Sequence, residues 1–224
     1  MKKLFTLIVA MMAFATSSLA IDYIPEEGVS FQGLFGMNIS GLRGSELNPK
    51  LGMNFGIKVE YMLPQCYGVF VNAGVNYTMK GARQTVPDPD PEIVKVTTIC
   101  RPCYVEIPLH VGYRYNLTED MGIYADFGPY FAIGTNGKNR IRVGEYAEDV
   151  TSKFFDRDVI QRFDMGLGFR VGCEYVNQHS LTLGMDWGLT DMYKDKFHRS
   201  MIELGLAHPN MKNFNCSVTY GYRF

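Results

Sequence analysis

Apolar and polar residues alternate with a period of two along most of the chain. Between residues 51 and 61 the odd positions hold large apolar side chains and the even positions hold small or polar ones. Successive side chains of a β-strand point to opposite faces, so this alternation predicts a strand with one apolar face. The pattern recurs in eight segments, at residues 29–40, 51–63, 67–80, 103–117, 121–134, 163–176, 180–190 and 214–224.

The connections between these segments differ in length. Short links near residues 63–65, 118–119 and 177–179 alternate with longer ones at 41–50, 81–102, 135–162 and 191–213. An even number of antiparallel strands with short turns at one end and long loops at the other is typical of an outer membrane barrel. We therefore predict an all-β fold, an eight-stranded antiparallel up-and-down transmembrane β-barrel with a filled polar lumen.

The chemistry of the two faces indicates which one looks outward. The apolar face carries no Asp, Glu, Lys or Arg, whereas the other face carries ionisable side chains and most of the 23 glycines. A charge-free face suits hydrocarbon, and small residues suit a narrow interior that eight strands leave just wide enough for side chains. We expect the ionisable side chains of this face to form a structural network in the lumen. Its members are Lys58, Glu60, Lys80, Glu106, His110, Arg114, Asp126, Asp164, Arg170, Glu174, Asp186 and Arg223.

Two local features make this prediction specific. The short turn at residues 177–179 sets a register that brings Arg170 and Asp186 close to the same level on adjacent strands, so their side chains should meet. Pro108 and Pro129 fall inside predicted strands of a closed sheet. Proline has no backbone N–H to donate to a neighbouring strand, and a closed sheet has no free edge at which this loss would be harmless. We expect a β-bulge at each proline.

The first 20 residues have the pattern of a secretory signal. Lys2 and Lys3 precede the apolar run Leu4–Ala15, and Ser18-Leu19-Ala20 supplies small residues before a cleavage site. We expect a cleaved signal peptide at 1–20, a short periplasmic segment at 21–28 and an outer membrane barrel at 29–224. Both termini would then be periplasmic and the long loops extracellular. After Ala20 no run of 18 apolar residues occurs, which excludes a helical membrane protein.

Charge and cysteine content exclude several functions. Lys and Arg total 22 against 23 for Asp and Glu, so there is no basic excess with which to bind nucleic acid. Of the five cysteines, Cys100 and Cys103 are close enough in sequence to join locally. A C-x-x-C pair can also mark zinc or redox chemistry, but no second pair accompanies it. We expect no cofactor and no metal.

Aromatic and acidic clusters mark the two ends of the predicted barrel. The aromatic residues near the short turns are typical of an interfacial girdle, and they are Tyr61, Tyr67, Tyr113, Tyr115, Tyr175, Tyr220, Tyr222 and Phe224. In a long loop, Asp88, Asp90 and Glu92 alternate with prolines and are candidate surface contacts, or simply part of a solvated extracellular surface.

Several motifs resemble, in order, those of the PorT-like outer membrane β-barrel family. They include Gly33-Leu34-Phe35-Gly36-Met37-Asn38, Tyr104-Val105-Glu106-Ile107-Pro108-Leu109 and Gly184-Met185-Asp186-Trp187-Gly188. The resemblance implies an eight-stranded barrel in the outer membrane of Bacteroidota-like bacteria, and some members of the family are linked to type IX secretion and gliding. The closing Tyr220, Tyr222 and Phe224 also resemble the signal that barrel-assembly machinery recognises.

Fold does not determine function, so three hypotheses stay open. We expect a monomeric, non-catalytic outer membrane protein that contacts membrane lipid and has a structural, surface-binding or secretion-accessory role with envelope or secretion proteins. The first alternative is an outer membrane protease or lipid-modifying enzyme that uses His198 or His208 in the last long loop. The second is a soluble periplasmic lipocalin-like barrel, which would hold its apolar face inward.

Overall fold

The computed structural model describes residues 28–44, 48–64, 66, 68–86, 96–143, 150–153, 155, 159–195, 199–200, 203 and 210–224. Several predicted features lie outside the described residues. They are the signal peptide at 1–20, the segment at 21–27, Tyr67, the acidic residues Asp88, Asp90 and Glu92, and the histidines His198 and His208.

The described residues form ten antiparallel strands, and eight of them close a barrel. β1 pairs with β2, β2 with β3, β3 with β5, β5 with β6, β6 with β8, β8 with β9, β9 with β10, and β10 with β1. The predicted eight-stranded barrel is confirmed. In chain order, the strands are β1 Gly28–Arg43, β2 Asn48–Met62, β3 Val69–Met79, β4 Ala82–Val86, β5 Val96–Asn116, β6 Met121–Val143, β7 Val150–Lys153, β8 Phe163–Tyr175, β9 His179–Gly188 and β10 Lys212–Arg223.

The barrel places its apolar side chains outside and its charged side chains inside. Phe31 and Ile57 are 57% and 63% exposed, whereas Glu60 and Asp186 are 2% and 3% exposed. The predicted assignment of the two faces is confirmed. It also excludes the soluble lipocalin-like alternative, which requires the opposite arrangement.

The described residues include no helix of the length and apolarity needed to cross a membrane.

The strands run further than the apolar pattern indicates, which corrects the predicted loop boundaries. β1 ends at Arg43 and β2 begins at Asn48, so most of the predicted loop at 41–50 is strand. β5 and β6 are 21 and 23 residues long, against 10 for β9. Beyond the barrel rim they pair with β4 and β7 and form a sheet that we call the protruding sheet, consisting of 82–86, 96–102, 137–143 and 150–153. Outside the hydrocarbon region of the membrane a strand does not need an apolar face. The alternation of apolar and polar residues therefore stops there, although the strands remain paired.

The predicted bulges at the two prolines are wrong. The β6–β8 ladder runs through Pro129 opposite Leu167 without a shift, and Pro108 keeps its register opposite Tyr130 on β6. The ring of Pro108 lies over Gly74 of β3, where a Cβ atom would meet the proline Cγ at an ordinary 3.5 Å. On β5 and β6 the register shifts instead between Cys103 and Tyr104.

Candidate functional site

The end of the lumen near the short turns, which we call the turn end, contains five charged side chains. This turn-end network consists of Lys58, Glu60, Arg114, Glu174 and Arg223. Arg114 pairs with both Glu60 and Glu174, and Arg223 lies 3.1 Å from Glu60 and 2.8 Å from Glu174. Lys58 lies 3.2 Å from Glu60. Each carboxylate therefore contacts at least two bases, as a low-dielectric interior requires of buried charges.

The middle of the lumen contains the predicted cross-strand pair. An Arg170 guanidinium nitrogen lies 2.6 Å from Asp186 Oδ1, which confirms the predicted contact. The Asn215 amide donates to the other oxygen of Asp186. His110 Nδ1 lies 2.5 Å from Asp126 Oδ1. We call this set, with Asn38 and Asn72, the central network.

The opposite end of the lumen, which we call the loop end, is organised around one lysine. Lys80 Nζ lies 2.5 Å from Glu106 and 3.5 Å from Asp164, and it also faces the rings of Tyr104 and Tyr130. Asp164 accepts hydrogen bonds from Tyr130 and from Asn213, whereas Glu106 accepts one from Thr78. This loop-end network consists of Thr78, Lys80, Glu106, Asp164 and Asn213.

An apolar cluster covers the loop-end network. This apolar cap consists of Tyr104, Tyr130, Ala132, Phe155 and Met192, all buried. The rings of Tyr104 and Phe155 meet edge to face, with centroids 5.6 Å apart. Because its residues are buried above the loop-end network, the cap separates the charged lumen from the loop-end solvent. Tyr193 lies next to the cap, in the connection before β10, where burial raises the pKa of its phenol and Cys100 and Asp191 add to the rise.

The space left in the lumen is small. The cavity bordered by His110, Asp126, Arg170 and Asp186 has a volume of ≈ 70 Å³, which is room for about two water molecules. In the described part of the chain no group of His, Cys, Asp and Glu side chains could hold a metal ion. The second ring nitrogen of His110 is buried and lies against Gly168 of β8. The lumen has the features of a packed polar core.

The structure brings all the predicted lumen residues inside the barrel and sorts them into the three networks. His110 lies on β5 between Glu106 and Arg114, and its partner is Asp126 on the neighbouring strand. The sequence analysis did not select the amides Asn38, Asn72, Asn213 and Asn215, although strand alternation could have identified them on the polar face. It had no signal for Phe155 and Met192, which belong to connections rather than to alternating segments.

The terminal aromatics and the cysteines lie where they affect the outer surface. Tyr220, Tyr222 and Phe224 are exposed at the turn end, and the Phe224 N–H donates to the carbonyl of Phe31 on β1.

All five cysteines are free thiols. Cys100 packs against the apolar cap and Cys103 lines an outer cavity, so the local disulfide considered from the sequence is absent. Residues three apart on a strand point to opposite faces.

Comparisons with known proteins agree with this architecture. The family described as outer membrane protein beta-barrel domain matches residues 18–194. The chain belongs to this family, whose location is the outer membrane. No curated protein sequence matches the chain.

Several solved barrels resemble the structure at low sequence identity. Neisserial surface protein A is 15% identical, with 88% of this chain and 100% of that chain covered and a TM-score of 0.43. Ail of Yersinia pestis is 13% identical, with 89% and 100% covered and a TM-score of 0.37. OprG of Pseudomonas aeruginosa is 9% identical, with 89% and 97% covered and a TM-score of 0.44.

Proposed function

We propose that this protein is a non-catalytic, non-conducting outer membrane barrel that works through its outer surfaces. The observation that carries the proposal is the filled lumen, where three charged networks and the apolar cap occupy the described interior and the cavity at its centre has a volume of ≈ 70 Å³. Neither a solute path nor a substrate pocket fits in such an interior. Function is then exercised by the wall and by the protruding sheet.

The protruding sheet is the part of the molecule best placed to meet a partner. Its strands continue β5 and β6 beyond the barrel rim, and β7 forms its outer edge, since β7 pairs with β6 at the end of the strand order. A sheet edge offers unpaired backbone donors and acceptors to another polypeptide. We propose that envelope or secretion proteins bind there, which makes the role surface binding or accessory to secretion.

The proposal also includes an orientation and a biogenesis route. A signal peptide at 1–20 would export the chain, with both termini periplasmic and the protruding sheet extracellular. The exposed Tyr220, Tyr222 and Phe224 on the last strand would serve as the signal for barrel-assembly machinery. The order of the motifs supports the PorT-like branch of the family in Bacteroidota-like bacteria, and β1–β10 closure within one chain supports a monomer.

Site-specific photo-crosslinking in intact cells tests the surface-binding proposal. A crosslinking amino acid in place of Arg83, exposed on β4, should capture a discrete envelope protein, whereas the same group in place of Glu119 in a short turn should not capture that protein. A cell-impermeant reagent should label a cysteine at position 83 and spare one at position 119. Labelling of position 119 alone would overturn the orientation, and equal adducts at both positions would overturn the assignment of the partner surface.

A further inference from the structure

The barrel wall is irregular at one place near the loop end. The β2–β3 ladder stops at Asn54 opposite Thr78. On this side of β2 the next paired residue is Pro49, which lies opposite Ala82 of β4, while the other side of β2 stays paired with β1. On the other side of β5, the register shift at Cys103 leaves Thr135 of β6 as an extra residue. A cavity of ≈ 950 Å³ lies between these two irregularities. Its volume is in the upper range of small-molecule binding sites.

The half of this cavity nearer the turn end is apolar and open to the outside of the barrel. Met37, Leu51, Met53 and Met79 line it, and their exposed fractions lie between 40% and 63%. Met37 is the register partner of Met53, and Met79 lies on β3 across the gap in the β2–β3 ladder; we call these three residues the methionine row. Methionine side chains are flexible and polarisable, which suits them to contact an acyl chain of irregular shape.

The half of the cavity nearer the loop end is basic. Arg101 and Lys138 are register partners on β5 and β6, and both are exposed. Like charges directly opposite each other on adjacent strands destabilise a sheet. Among the described residues that line the cavity, the bases are Lys50, Lys80, Arg101, Lys138 and Arg162, and there is no Asp or Glu. The charge of Lys80 is already compensated by Glu106 and Asp164 in the loop-end network, so the other four bases give the cavity its positive charge. A bound anion would relieve the repulsion between Arg101 and Lys138.

We propose that this cavity binds an acidic amphiphile, a phosphorylated glycolipid of the outer leaflet. The methionine row would take an acyl chain, and Arg101 and Lys138 would bind a phosphate group by charge-assisted hydrogen bonds. The occupant is a lipid because the apolar half belongs to the outward face of the barrel. It is anionic because the described lining carries bases and no acids. The assignment to the outer leaflet rests on the orientation proposed above, and Arg101 and Lys138 belong to the protruding sheet, so the lipid site adjoins the proposed partner surface. Lipid retention by the purified protein is measured without a partner protein, so the two proposals can fail separately.

Native mass spectrometry of the full-length mature protein tests the lipid site. The protein would be released from nanodiscs of zwitterionic phosphatidylcholine that contain a diphosphorylated lipid A or the same lipid without its phosphates. We expect the phosphorylated lipid to be retained and the dephosphorylated lipid to be lost. The double variant R101Q/K138Q should reduce binding of the phosphorylated lipid about tenfold or more.

A matched variant separates local binding from net charge. The double variant R199Q/K212Q removes the same two charges from residues that do not line the cavity, and it should bind the phosphorylated lipid as the wild type does. Met53→Asn, which places an amide in the methionine row, should weaken binding of the whole lipid but not of inorganic pyrophosphate. Equal retention of the two lipids, or equal losses in the two double variants, would overturn the proposal.

Discussion

At the residue scale, Glu60 is the carboxylate on which the turn-end network depends. It is 2% exposed and contacts Lys58, Arg114 and Arg223. Glu60→Gln would leave Arg114 and Arg223 with Glu174 as their acidic partner and would remove the carboxylate that Lys58 contacts. Removing one partner of a buried ion pair costs about 3 kcal/mol or more, so we expect a loss of that size. Urea unfolding in lipid vesicles measures the change in the free energy of unfolding.

The control for this prediction is Glu119→Gln. Glu119 is an exposed acid in the turn between β5 and β6, and its replacement should change the free energy of unfolding by less than about 0.5 kcal/mol. Equal effects of the two substitutions would mean that Glu60 contributes no more than a surface acid.

Gly128 illustrates the space available inside the wall. A Cβ atom added there would lie 2.2 Å from the Leu109 carbonyl oxygen and 2.8 Å from the His110 Cα, both backbone atoms of the neighbouring strand. Gly128→Ala should therefore destabilise the barrel by about 1–3 kcal/mol through overpacking. Gly33→Ala is the matched control, because a Cβ at Gly33 would meet the Phe224 ring at an ordinary 3.6 Å. The heat-induced gel shift of the folded barrel reports both variants, and a lower midpoint for Gly33→Ala than for Gly128→Ala would contradict the steric argument.

At the scale of the elements, the face assignment of β5 predicts the reactivity of its two cysteines. Cys103 lines the outer cavity, whereas Cys100 packs against the apolar cap. A maleimide should label Cys103 of the folded protein much faster than Cys100, and unfolding should make the two rates similar. Single variants Cys100→Ser and Cys103→Ser allow each rate to be measured by mass spectrometry. A folded protein that labels neither thiol until it is reduced would instead indicate a disulfide.

Alternation was sufficient to predict the barrel strands because lipid outside and charge inside impose a strict period of two. It predicted the contact between Arg170 and Asp186 because the turn between β8 and β9 is short, although the contact is diagonal, with Arg170 opposite Gly184. It could not predict the protruding sheet, which lies beyond the hydrocarbon, so that strand pairing there leaves no apolar signature. It misjudged Pro108, because the register at this proline is fixed by pairing with Tyr130 on another strand, which the local sequence does not show.

At the scale of the whole molecule, the three networks and the cap predict a barrel that does not conduct ions. Purified protein inserted into a planar bilayer should show no sustained aqueous conductance, because side chains fill an interior of eight strands. A 16-stranded porin is the positive control, since barrels of that size leave an open channel. Steady ohmic current that scales with the number of inserted barrels would contradict the filled lumen.

Because the first strand pairs with the last, the closed barrel does not require the chain to begin at any particular strand. Gln32 pairs with Arg223 and the Phe224 N–H reaches Phe31, so the two ends of the barrel chain lie side by side at the turn end. A short linker from Phe224 to Gly28 could join them, and the chain could be reopened at the turn between β5 and β6. Such a circular permutant would keep the strand neighbours of the barrel while making β5 the C-terminal strand. It would therefore test whether the assembly signal proposed for Tyr220, Tyr222 and Phe224 has to stand at the end of the chain.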